Sequence, residues 1–293
     1  IVRTLPFQEQ DKDVAACASS ALWSVLHSTA RIFQHAILSP VEITKAAAAH
    51  SRLDERTLPN GSGLTTLQIA DAIRSVGLEP LGVGVSSLKR SEDDDQNAET
   101  DGDGADRERE GSKGAVEKER AAEKQAELKI AAMAYLRSGL SCLLLSRVSQ
   151  IEGGETVVRG HHAAALTGFC LDPESELVPY GKSQTLFTAS RMDRLYMHDD
   201  QIGPFAAFSF FEGNILVSKS EPDLLREGST FAEPINMVVP LYHKIRIPLR
   251  AVVNLTVALD TWVDATKGLL KIDRKPEWDI QLNDLKAVRA AIV

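Results

Sequence analysis

Four residues in this chain are of types, and in an order, that could carry out nucleophilic acyl chemistry. Cys17 opens the stretch Cys-Ala-Ser-Ser-Ala-Leu-Trp-Ser-Val-Leu, and His162 stands far downstream in Gly-His-His-Ala-Ala-Ala-Leu-Thr-Gly-Phe. Asp199 and Asp200 follow in Leu-Tyr-Met-His-Asp-Asp-Gln-Ile-Gly-Pro-Phe. A cysteine in the first turn of a helix meets unpaired amide donors and the positive end of the helix dipole, which favour the thiolate. A histidine on a strand can hold that thiolate as an ion pair, and an aspartate can fix the imidazole tautomer. Gln10, seven residues before Cys17, can offer a side-chain amide to an oxyanion beside the Cys17 backbone N–H. Each residue also has a plainer reading. Cys17 serves equally as a small buried apolar side chain, His162 as an edge histidine, and the aspartates as a turn before Gly203-Pro204.

The neighbouring cysteines and histidine are less suited to this chemistry. Cys142 lies in Ser-Cys-Leu-Leu-Leu and Cys170 at a strand end, and both read as core. On a strand His161 points away from the face that His162 uses, so only one of the pair can serve a given site. No third ligand lies near the two histidines at a metal-binding spacing, and three cysteines without CxxC spacing make no structural zinc site. No metal and no cofactor are expected.

The elements that must position these residues are readable from periodicity. Asp13 to Phe33 reads as a helix capped by Asp13, with Ala16, Leu22, Trp23, Leu26 and Ala30 near helical spacing. A second helix starts at Ser39-Pro40 and a third runs from Leu64 to Gly77. A strand follows at Glu79 to Val85. Past Gly139 the period changes: Leu140 to Val148, Thr156 to Gly160, His162 to Leu171 and Arg194 to His198 read as strands. Helices followed by an antiparallel sheet make an α+β layout. Asn214 to Val217 and Met237 to Leu241 are strand-like, and Val252 to Leu270 reads as a helix. The tail has three open roles: completing the sheet, forming a dimer contact, or leading into another domain.

The net charge of −8 belongs to one segment. Residues 91–127 hold fourteen Asp/Glu and six Lys/Arg, a difference equal to the net charge, so the rest of the chain is neutral. That balance gives no electrostatic case for nucleic acid or an anionic membrane. Within that segment, residues from about 91 to 114 lack aromatic and almost all aliphatic side chains, and read as a disordered insertion. No run of about 18 apolar residues spans a membrane. The expected organisation is a catalytic core in 1–90 and 128–210, a charged insertion at 91–127, and a C-terminal extension at 211–293.

The order Gln10, Cys17, His162, Asp199/Asp200 resembles that of papain-like cysteine peptidases. The closest likeness is to the bacterial double-glycine leader peptidases of ABC exporters. His162-Ala163 through Gly168-Phe169 is similar to the strand bearing the base in that superfamily, and this register selects His162 over His161. Gly63-Leu64-Thr65-Thr66 through Gly77-Leu78, and Tyr135 to Gly139, resemble segments of the leader-peptidase branch. Ala18 stands where a glycine is common, and Gln10 is one residue further from the cysteine than in the family. Asp200 has the papain-type spacing to Gly203 and Asp199 the leader-peptidase spacing, so both stay open.

The resemblance implies a papain-like α+β fold, with the Cys17 helix packed on an antiparallel sheet that carries the histidine and the acid. It implies hydrolysis of a peptide or isopeptide bond, with a protein or peptide substrate. A cytoplasmic setting follows from the unpaired cysteines. Two other activities fit the same residues: a thiol acyltransferase, amidase or deamidase, and a catalytically inactive peptidase-like binding module. A metal-dependent hydrolase is the remaining class, set back by the lack of clustered ligands.

Overall fold

The computed structural model describes residues 5–9, 16–49, 63–85, 106–218, 226–245, 248–270 and 275–281, with the side chains of 106–113 and 268–270 left aside. Gln10 and Asp13 therefore lie outside the described residues, as do residues 91–105 of the charged segment.

Three helices come first: α1 (Cys17–Phe33), α2 (Pro40–Ala48) and α3 (Thr66–Ser75). Local chemistry sets the starts of the latter two. Ser39 and Glu42 form a reciprocal capping box with Pro40 just inside the helix, and Thr65 and Gln68 form another. Each box satisfies orphan amides of the first turn. α1 has no such device: Ala16 precedes it and no side chain caps it, so Cys17 is its first residue. Strand β1 (Leu78–Gly84) follows, then the long helix α4 (Asp106–Arg137). The charged segment expected to be disordered to about residue 114 thus contributes helix from Asp106 onward.

The remaining strands are β2 (Cys142–Glu152), β3 (Glu155–Leu171), the two-residue β4 (Leu186–Phe187), β5 (Met192–Asp199), β6 (Gly203–Phe211), β7 (Ile215–Ser218) and β8 (Thr230–Tyr242). Helix α5 (Leu249–Leu270) and a short β9 (Glu277–Trp278), which pairs with β4, end the described chain.

The expected papain-like fold, a helix on an open antiparallel sheet, is corrected by the sheet's connectivity. Its order is β1-β8-β2-β3-β5-β6-β7, and β7 also pairs with β8 through Leu216 and Ala232. Strands β8, β2, β3, β5, β6 and β7 therefore close into a six-stranded antiparallel barrel, with β1 added outside β8. Closure leaves no open edge between β7 and β8. It depends on strands from residues 215–242, the stretch whose role the sequence left open.

Alternation along the strands builds two cores. Leu143, Ala163, Ala165 and Val238 share one with Leu22, Leu26, Ile43, Ile69 and Ile73 of the three N-terminal helices. Leu144, Ala164, Leu166, Leu195, Met197, Phe208, Leu216 and Met237 share the other with Leu128, Ala131 and Met133 of α4. The second cluster draws on all six barrel strands. α1 is thereby clamped against β3, each fully buried Leu or Ile contributing about 1.5–3 kcal/mol. This packing brings the first residue of α1 to the strand that carries His162.

Candidate active site

Cys17 is half-buried and unoxidised at the head of α1. The amides of this first turn have no intrahelical acceptor; the first ladder bond runs from the Ser20 N–H to the Ala16 carbonyl at 3.0 Å.

His162 sits on β3, opposite Ser146 of β2. Two residues upstream the β2–β3 ladder carries a bulge in which Arg159 is the extra residue, with Gly160 at φ 149°. Bulges re-aim the side chains that follow them. The His162 side chain is 12% exposed. Its Nε2 lies 3.0 Å from Asp199 Oδ2, and His162 lines the same groove as Cys17. With Nε2 on the acid, Nδ1 is the nitrogen left for sulfur. His161 is exposed, next to this cluster but outside it.

Both aspartates come from the end of β5 and the tight connection into β6, where Asp199 pairs with Gly203. Gly203 takes φ 135°, a backbone setting that favours glycine. Asp199 divides its two oxygens. Oδ1 accepts from the N–H groups of Gln201 and Ile202 at 3.0 and 3.1 Å, and Oδ2 faces the imidazole. The turn-forming and the base-orienting readings of this residue are thus both realised in one side chain. Asp200 Oδ1 stands 3.6 Å from the same Nε2, beyond hydrogen-bond reach. Neither Asp200 oxygen has a hydrogen-bond partner among the described residues, although its side chain is only 5% exposed.

Charge in the cluster follows from this geometry. Burial pushes the His162 imidazolium toward losing its proton, but its hydrogen bond to Asp199 and its interaction with Cys17 outweigh burial and raise His162 to about 10. Burial also acts to raise Asp199, yet its bonds to His162, Gln201 and Ile202 bring it below the usual carboxylate value. Asp200 has no such bonds. Burial raises it, His162 opposes and Asp199 adds to the rise. Two adjacent carboxyls are thus shifted in opposite directions, one toward the ionised form beside the imidazole and one toward the neutral acid.

The thiol opens onto a groove of about 700 Å³. Gly63 to Thr66 border it on one side and Arg159 to Ala163 on the other, with Leu145, Ser146, Ile235 and Asn236 also lining it. A smaller cleft on the other side of Cys17 is lined by Gln8, Ser20, Ser24, His198 and Asp200 among others. The Pro6 carbonyl anchors the segment leading there, accepting from Ser24 Oγ and lying 3.3 Å from His198 Nδ1. Phe7 and Phe205 meet the His198 ring edge-on.

Cys17, His162, Asp199 and Asp200, singled out in the sequence, are therefore brought together, whereas the oxyanion role of Gln10 falls on a residue outside those described. Sequence reasoning did not find Asn236, which reaches the groove from β8, or the Ser146 partnership; neither lies in a motif, and only strand register reveals them. It also missed that His162, Asp199 and Asp200 offer three ligand-type atoms within 4.8 Å of one another. The acids lie 37 and 38 residues beyond the histidine, so no local spacing signals the group. Among the described residues, no helix is long and apolar enough to cross a membrane. No protein-family model matches this chain, and no curated protein matches it.

Proposed function

We propose that the protein is a thiol-dependent hydrolase, a cysteine peptidase acting on a peptide or isopeptide bond through Cys17, His162 and Asp199. The observation that carries this reading is a cysteine at the first position of a helix, lining one groove with an imidazole whose Nε2 is 3.0 Å from a buried carboxylate. The order of these residues along the chain, which resembles that of known cysteine peptidases, supports it as well.

In the proposed reaction the Cys17 thiol passes its proton to His162 Nδ1. The thiolate sulfur attacks the carbonyl carbon of a chain lying in the groove, and the C=O π electrons move onto oxygen. The Cys17 backbone N–H and the neighbouring first-turn amides stabilise that oxyanion. Collapse breaks the C–N bond as His162 gives its proton to the leaving amine, leaving a thioester on Cys17. Water, deprotonated by His162, then attacks the thioester, and the carboxylic acid departs as the thiol re-forms. Asp199 orients the ring throughout and stabilises its charged form. No metal or cofactor takes part in these steps. The three cysteines, all free, support a reducing compartment such as the cytoplasm for this activity.

The test is a peptide-library cleavage assay on the wild-type protein and the Cys17→Ala variant, with mass-spectrometric identification of products. Turnover that disappears in Cys17→Ala, while its melting curve stays that of the wild type, is expected. Cleavage retained by the variant rules the mechanism out.

A further inference from the structure

Asp200 is the one member of the cluster that the proposed reaction does not use. A buried carboxyl with two unpartnered oxygens is costly unless something satisfies it. It is aimed at His162 Nε2, which also faces Asp199 Oδ2. The two N···O separations are 3.6 and 3.0 Å. Donor atoms about 2.0–2.1 Å from a tetrahedral zinc ion lie about 3.4 Å apart, so these separations bracket that span. The surroundings of such a centre are also present. Asp199 Oδ1 is held by two backbone N–H groups, which aims Oδ2. Metal-binding carboxylates have outer partners of this kind. The side chains of His162, Asp199 and Asp200 are only 12%, 6% and 5% exposed, so an ion here would be enclosed.

We infer that His162 Nε2, Asp199 Oδ2 and Asp200 Oδ1 bind a divalent zinc ion, and that this ion holds the hydrolase inactive. Two carboxylates neutralise its charge, and the cleft lined by Asp200 and Cys17 supplies a path for the fourth ligand, a water. Binding displaces the Nε2 proton to solvent, and no electron is transferred. The ring is then the neutral Nδ1–H tautomer, with no lone pair left to accept the Cys17 proton. Removing the ion by a chelator restores the Nε2–H···Asp199 bond and the base. The inhibitory half rests on the proposed thiol chemistry, whereas the binding half does not.

The experiment separates them. Calorimetric titration of Zn²⁺ into metal-free Cys17→Ala protein excludes the thiol as a ligand. One ion per chain is expected, with affinity at least about tenfold weaker when Asp200→Asn is added to that background. No binding by Cys17→Ala, or equal binding by the double variant, overturns the site. Co²⁺ in the wild-type protein provides a second readout that needs no substitution. Ligand-field bands without a thiolate-to-cobalt charge-transfer band are expected, and a charge-transfer band overturns the assignment. Zn²⁺ should also abolish fast alkylation of Cys17 in the wild type, reversibly with chelator; binding that leaves alkylation unchanged removes the regulatory half alone. If Cys17 never alkylates fast, the hydrolase reading fails instead, and the binding titration still stands or falls by itself.

Discussion

Asp199→Asn tests how the base is held, because it changes one of the two jobs of this side chain and keeps the other. The asparagine Oδ1 still accepts from the Gln201 and Ile202 amides at the positions now 3.0 and 3.1 Å away, so the β5–β6 turn survives. The oxygen facing His162 Nε2 becomes an NH₂ group. That amide donates to Nε2 and imposes the Nδ1–H tautomer, the wrong one for taking the Cys17 proton. A hydrogen bond to a charged group contributes about 1.5–3 kcal/mol, and one pKa unit corresponds to about 1.4 kcal/mol. Losing this bond therefore lowers His162 from about 10 by about one to two units. The assay is iodoacetamide labelling of Cys17 across pH, read by peptide mass spectrometry, with Cys142 and Cys170 as internal references. In the wild type the labelling profile should carry an inflection where His162 loses its proton, near pH 10. In Asp199→Asn that inflection should fall by about one to two units, and turnover should drop by about 10²–10⁴. An unchanged profile in Asp199→Asn, with a changed one in His162→Ala, would refute Asp199 as the orienter.

Two further outcomes concern stability. His162 is raised in the folded state, so its contribution is fully present below its unfolded value near 6.5 and is lost as pH rises through about 10. Asp199 is lowered, so its contribution is present above the unfolded carboxylate value and is lost as pH falls through the lower folded one. Chemical denaturation from pH 6 to 11 should show the alkaline loss in the wild type and a flatter curve in His162→Gln; identical curves would mean that the pair adds nothing to folding. Leu22 is fully buried between α1 and the strands, so Leu22→Ala should cost about 2–5 kcal/mol of unfolding free energy. A loss below about 1 kcal/mol would show that α1 is not clamped as described.

Local signals were strong enough to give most of the helices and strands and the order of the reactive residues, although β6 was not among the strands read from the sequence. The Ser39-Pro40 and Leu64-Thr65 starts are decided within one helical turn, and the Ser39/Glu42 and Thr65/Gln68 boxes act at those positions. The switch from helical to alternating periodicity after Gly139 is likewise a property of neighbouring side chains, and β2 and β3 follow it. What failed was what local signals do not contain. An α+β pattern with antiparallel strands is common to open and closed sheets. The difference here is one ladder contact, Leu216 to Ala232, between strands whose sequences give no sign of each other. The start of α1 at Cys17 also escaped the pattern, because Ala16 offers no cap to recognise.

The same division holds at the site. Residue type and order marked Cys17, His162 and the two aspartates as a nucleophile, a base and acids, because those chemistries belong to the side chains themselves. Choosing between Asp199 and Asp200 needed the tertiary structure. Adjacent carboxyls are equivalent in sequence, but the β5–β6 turn gives one of them two backbone donors and the imidazole and leaves the other buried without a partner. Hydrogen bonding and burial act through space, so the same two letters become one ionised orienter and one carboxyl biased toward its neutral form.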